Sequence, residues 1–188
     1  MPSLLSISNP RAYHIVTYGT LIGSNIFQTF LAGPLAFKVL PRPQFSTLQQ
    51  AVFPPYFSLQ TVLSLVLALT WPGEKLASDG GAIERQYAGL RGITEGGNIW
   101  RALAPIAIMF STSLLNLVIL GPATTKVMKE RKHQETRDGK RYYDPGPKST
   151  EMQRLNSSFA KLHGAASLSN VIGLAAMLFY GIVLAEKL

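Results

Sequence analysis

Apolar and polar positions alternate along this chain in long blocks. Four apolar runs, at residues 13–37, 53–71, 99–121 and 164–185, are separated by stretches rich in proline, glycine or charge. At about 1.5 Å of rise per residue, each run forms a helix long enough for a hydrocarbon layer about 30 Å thick. The first run is far too long for the apolar core of a cleaved signal peptide and reads as a retained span. The pattern predicts an all-α integral membrane four-helix bundle, a single domain over residues 1–188.

The connecting stretches carry their own pattern. In residues 38–52, Phe45, Leu48 and Ala51/Val52 recur at helical spacing beside Gln44, Gln49 and Gln50, which predicts a short amphipathic helix lying in the membrane interface. Pro54 and Pro55 then open the second span or kink its entrance. Trp71 is placed in the interfacial aromatic belt, with Pro72-Gly73 ending the helix. Residues 72–98 are glycine-rich and read as a loose loop, with a turn or two of amphipathic helix over 82–90. Trp100 stands at the mouth of the third span, Arg101 snorkels outward, and Pro105 kinks the helix. Beyond residue 121 the third helix is expected to extend into water until Gly139 and the Asp144-Pro145-Gly146-Pro147 breaker.

Composition narrows the class. With 188 residues, 47% hydrophobic and only 15% charged, and a mean hydropathy of +0.17, the chain is too apolar for an ordinary soluble domain. The net charge of +8 would point to nucleic acid if it were spread over a folded surface. Instead it crowds into the segment 122–163, which marks a topogenic signal and no nucleic-acid partner. Four spans place loops 1 and 3 on one side, and twelve of the eighteen Lys and Arg residues fall there. The positive-inside rule makes those loops cytosolic and puts both termini on the opposite side. The expected location is an integral membrane of a eukaryotic organelle, ER, vesicular or mitochondrial outer. The Asn156-Ser157-Ser158 triplet is then cytosolic and carries no sugar.

Polar residues inside the spans are the candidate chemistry. Gln28, Gln60, Asn116 and Asn170 lie roughly 7 to 14 Å from the cytosolic ends of their helices. They define a polar intramembrane layer, with Thr17, Thr20, Ser24 and Gln28 sharing one face of the first span. Such groups turn inward because hydrocarbon offers no hydrogen-bond partner. They either bond across helices and fix the register of the bundle, or line a polar pathway open to the cytosol. His163, Gly121 and Pro122 frame the cytosolic mouth, where His163 is a structural or headgroup contact, or else a titrating gate or catalytic base. The Lys126, Lys129, Arg131 and Lys132 cluster sets orientation, or binds lipid or a partner, each basic group gaining ~1 kcal/mol near an anionic leaflet. With no cysteine, no HExxH, GxSxG or Walker-type loop and no carboxylate within a span, neither an enzyme nor a cofactor or metal is expected.

Several motifs occur together: Leu40-Pro41-Arg42 with Phe45, Leu48 and Gln49; Phe53-Pro54-Pro55-Tyr56-Phe57; Gly121-Pro122-Ala123-Thr124-Thr125 leading to Met128, Glu130-Arg131 and Glu135; and Phe159 with Leu162-His163-Gly164, Ser167-Leu168 and Asn170. In order and spacing they resemble the transmembrane protein 205-like family over almost the whole chain. The resemblance implies a four-span membrane protein and transfers no catalytic residue. The expected function is structural, scaffolding or interaction with lipid or partner through the basic loop, within a protein complex or homo-oligomer. The alternative is a small-solute transporter or channel using the amide layer.

Overall fold

The computed structural model describes residues 10–77, 83–86 and 88–187. The first apolar run forms α1 (Pro10–Ile26), a wide π turn (Phe27–Ala32) and α2 (Gly33–Val39). A sharp turn at Leu40-Pro41 leads into α3 (Arg42–Leu69). The second long helix comprises a π turn (Ile99–Leu103), α5 (Ala104–Leu115), a further π turn (Asn116–Leu120) and α6 (Gly121–Asp138). The last helix, α7, runs over Thr150–Lys187.

By length and composition, three of these helical stretches are able to cross a membrane: Arg42–Leu69, Ile99–Asp138 and Thr150–Glu186. The run over 10–39 is also helical, but Thr17, Thr20, Ser24, Asn25, Gln28 and Thr29 dilute its apolar content. α1 packs against α3 and α7, and α5 packs against the same two. Between them lies a core that includes Leu21, Leu67, Ile106, Met109, Met177 and Tyr180. The outer faces are apolar as well: Phe30, Val62, Ile119, Val171, Phe179 and Ile182 are all exposed. A water-soluble monomer rarely tolerates an apolar exterior on this scale, and the surface fits a membrane protein.

Proline dictates the three π turns. Pro34, Pro105 and Pro122 each stand at the second residue after one. Proline has no N–H, and its ring collides with the carbonyl one turn back. Widening the preceding turn relieves both, and the N–H groups of Gly33, Ala104 and Gly121 reach back five residues to Gln28, Ile99 and Asn116. Pro105 therefore acts through a widened turn.

Three local expectations change. The amphipathic segment 38–52 is not a separate interfacial helix, because α3 runs unbroken through Pro54 and Pro55. The residues before those prolines keep helical geometry, and the lost donors leave only the carbonyls one turn back without helical partners. Trp71 is fully buried rather than in an interfacial belt, whereas Trp100 is 77% exposed. The loop over 72–98 is partly built: β1 (Glu74–Ala77) pairs antiparallel with β2 (Ile83–Gln86), and α4 (Gly89–Ile93) follows. The Gly89 N–H closes its base on the Trp71 carbonyl at 2.8 Å, and Ile93 is buried in the core. Part of the region 82–90 lies outside the described residues; of the rest, 83–86 is strand and helix begins at Gly89.

Candidate functional site

The inward polar groups converge where α1, α3, α5 and α7 meet. Asn170 on α7 is the hub. Its Oδ1 accepts from Asn25 Nδ2 at 3.2 Å and from the Tyr56 hydroxyl at 3.1 Å, and its Nδ2 donates to Thr29 Oγ1 at 3.0 Å. Gln60 on α3 donates to the Leu21 carbonyl at 3.2 Å and to Ser24 Oγ at 2.8 Å. Asn116, at the start of a π turn, donates to the Ala166 carbonyl at 3.3 Å. The Thr61 and Ser113 hydroxyls meet at 3.0 Å, and Ser169 Oγ donates to the Thr112 carbonyl at 3.2 Å.

Three of the four expected amides, Gln60, Asn116 and Asn170, thus belong to one layer. Gln28 does not join it: its Nε2 donates to Gln49 Oε1 at 3.3 Å, tying the first helical run to the start of α3. The amide that α1 contributes is Asn25. The face that turns inward is His14, Thr17, Leu21 and Asn25, whereas Thr20 is exposed. The 14-17-21-25 spacing, which puts histidine and amide in step, was the available signal.

A small cavity lies within this layer, about 10 Å³ in volume, lined by residues of all four helices including Asn25, Gln60, Thr112, Asn116, Asn170 and Gly173. Gly173 permits the close approach of α7 to α5, since a Cβ there would stand 2.7 Å from Thr112 Oγ1. That volume is about the space of one water molecule. The layer is therefore closed to anything larger in this conformation.

A second polar node lies on the same helices toward the other end, and the sequence reading did not single it out. His14 is fully buried, with Nε2 2.6 Å from the Tyr180 hydroxyl and Nδ1 2.9 Å from Thr70 Oγ1. Thr70 Oγ1 gives its own proton to the Val66 carbonyl at 2.7 Å, so it accepts from His14 Nδ1–H, and Nε2 accepts from Tyr180. The hydrogen-bond network thus assigns the Nδ1–H tautomer. Trp71 and Tyr180 pack their rings around the imidazole at centroid distances of 6.3 and 6.0 Å. Arg101, expected to snorkel, pairs with Glu186 near this end.

Outside the apolar zone, α6 and the first turns of α7 form a helical hairpin with its own small core. Gly139, at φ 60°, ends α6, with its N–H on the Glu135 carbonyl. Ser149 Oγ accepts the Met152 N–H at 3.1 Å and so caps α7. Met152 and Leu155 are buried. Arg131 is buried too, its guanidinium 3.7 Å from the Tyr142 ring centroid and 4.6 Å from that of Phe159. Burial pushes the Arg131 guanidinium below its ordinary pKa, opposed by nearby Tyr142 and Glu135. Arg131 is thus a packing residue and leaves the outward basic set, in which Lys126, Lys129 and Lys132 are all exposed. His163 is exposed and stacks on Phe159 at 5.5 Å. Pro122 is exposed; Gly121 is held against the Asn116 carbonyl, which a Cβ would approach to 2.6 Å. Among the described residues no group of His, Asp and Glu is arranged to hold a metal ion.

The family described as domain of unknown function DUF4149 matches residues 16–133. The chain belongs to this family. It is also similar to the xanthocillin biosynthesis cluster protein D of Aspergillus fumigatus, 27% identical over 185 residues, covering 98% of this chain and 95% of that protein. No solved structure matches the DUF4149 chain. The resemblance to the transmembrane protein 205-like family is corrected by these matches, neither of which is to a family of that name. Its motifs sit largely at structural joints: Leu40-Pro41-Arg42 makes the turn into α3, and Gly121-Pro122 follows a π turn. Short motifs that punctuate helices carry little family information.

Proposed function

We propose that this DUF4149 protein is a non-enzymatic, four-span membrane anchor that presents the α6–α7 hairpin to an anionic cytosolic leaflet. In this reading the run over 10–39 crosses the bilayer with the other three, and the four helices form one bundle. The observation that carries it is the hairpin itself. Its interior is closed by Arg131 between Tyr142 and Phe159, while Lys126, Lys129 and Lys132 point outward along α6. A rigid element holds those charges next to the membrane, where three lysines contribute up to ~3 kcal/mol of attraction. The organelle is eukaryotic in this proposal, with loops 1 and 3 cytosolic.

The test is lipid selectivity in nanodiscs. Wild-type protein should enrich phosphatidylserine over phosphatidylcholine in its boundary layer, and Lys126→Gln/Lys129→Gln/Lys132→Gln should lose the enrichment without losing the fold. Equal enrichment by the variant would sink the lipid reading and leave a protein partner as the ligand of this face.

A second reading, small-solute passage, draws on the polar lining that all four helices contribute. The similar Aspergillus protein is named for a biosynthesis cluster, so small organic metabolites are the first solutes to try. Passage requires the helices to part at the layer. Asn116→Leu should then abolish flux in liposomes while the protein stays folded.

A further inference from the structure

The cavity on the helix-bundle axis has a chemical demand that the polar layer does not meet by itself. Gln60 and Asn116 are each 1% exposed, and both line the cavity. Gln60 Oε1 and Asn116 Oδ1 have no hydrogen-bond partner among the described residues. Neither amide escapes by flipping. Gln60 Nε2 is held by the Leu21 carbonyl and Asn116 Nδ2 by the Ala166 carbonyl, so a flip would set oxygen against oxygen. Two buried acceptors, on α3 and on the π turn that follows α5, therefore belong to residues that line a space of about 10 Å³.

We propose that this cavity is a binding site for one hydrogen-bond donor, a single structural water that donates to Gln60 Oε1 and Asn116 Oδ1. A water has two protons to give, and the volume admits about one. Leaving both acceptors bare at this depth would carry the desolvation penalty of each. The water couples α3 to α5, whose direct polar contact nearby is Thr61 with Ser113. It also sits beside the π turn that begins at Asn116, making that turn a hydrated joint. A hard divalent cation would need more oxygen ligands than two amides supply.

Water-edited solid-state NMR on reconstituted protein tests this. Magnetisation should pass early from water to the side-chain amides of Gln60 and Asn116 while the methyls of Leu67, buried in the same core, stay dark. Asn116→Leu should remove the transfer at Gln60, and Gln60→Met should remove it at Asn116, so one failing variant does not decide the matter. No early transfer in the wild type would overturn the proposal, as would equal transfer to Leu67. A melting temperature that rises in sodium relative to choline, and loses that rise in Asn116→Leu, would replace the water by an ion.

Discussion

At the scale of single residues, the polar and small side chains near the axis are held by geometry that leaves little slack. Tyr180→Phe removes the donor to His14 Nε2 and leaves a buried acceptor; the expected loss is ~1–3 kcal/mol, read from thermal or denaturant unfolding in detergent. Gly121→Ala puts a Cβ 2.6 Å from the Asn116 carbonyl, so about 1–3 kcal/mol should be lost in the same assay. Gly164 is also helical, but among the described residues nothing lies within 4 Å of an added Cβ. Gly164→Ala should be neutral or stabilise by up to ~1 kcal/mol. If both alanines behave alike, the π-turn account of Gly121 is wrong. Residues of this kind were only half legible in the sequence. A glycine before a proline invites attention, but the carbonyl it accommodates depends on a turn widened by one residue. The partners of His14, Thr70 and Tyr180, lie 56 and 166 positions away, beyond the reach of any local pattern.

At the scale of elements, apolar runs announced the helices well, and the prolines and charge announced their ends less well. The continuation of the third helix past Gly121 and its stop at Gly139 follow from local signals, an αL glycine before a breaker. The continuity of α3 through Pro54 and Pro55 does not, since a proline pair is read locally as a boundary while packing decides otherwise. Which amide of the first run faces inward turns on a rotation of the helix by less than a quarter turn, and Asn25 rather than Gln28 wins because Leu21 and His14 share its face. In the hairpin, charge alone placed Arg131 with the lysines; only the fold brings Tyr142 and Phe159 to its two sides. Arg131→Lys keeps the charge and gives up the planar stack. It should loosen the hairpin by ~1–2 kcal/mol, seen as faster amide exchange around Met152 and Leu155. Unchanged exchange there would show that the stack holds nothing together.

At the scale of the whole molecule, the membrane class rests on three long apolar helices and an apolar exterior, while the number of crossings and their direction are the proposal. The first helical run is the deciding element, because its polar residues lower its hydropathy for the same reason that they build the inner layer. A span that donates Asn25, Ser24 and Thr29 to a shared interior is necessarily less apolar than one that faces only lipid. The most direct measurement is labelling of single-cysteine variants with a membrane-impermeant maleimide in sealed vesicles of known orientation. The chain has no native cysteine, so no background needs removal. Gln44→Cys and Lys132→Cys should react from the cytosolic side, and Ser6→Cys and Gly96→Cys only after the membrane is opened. Reaction of Ser6→Cys and Gln44→Cys from the same side would contradict the first crossing and, with it, the four-span bundle.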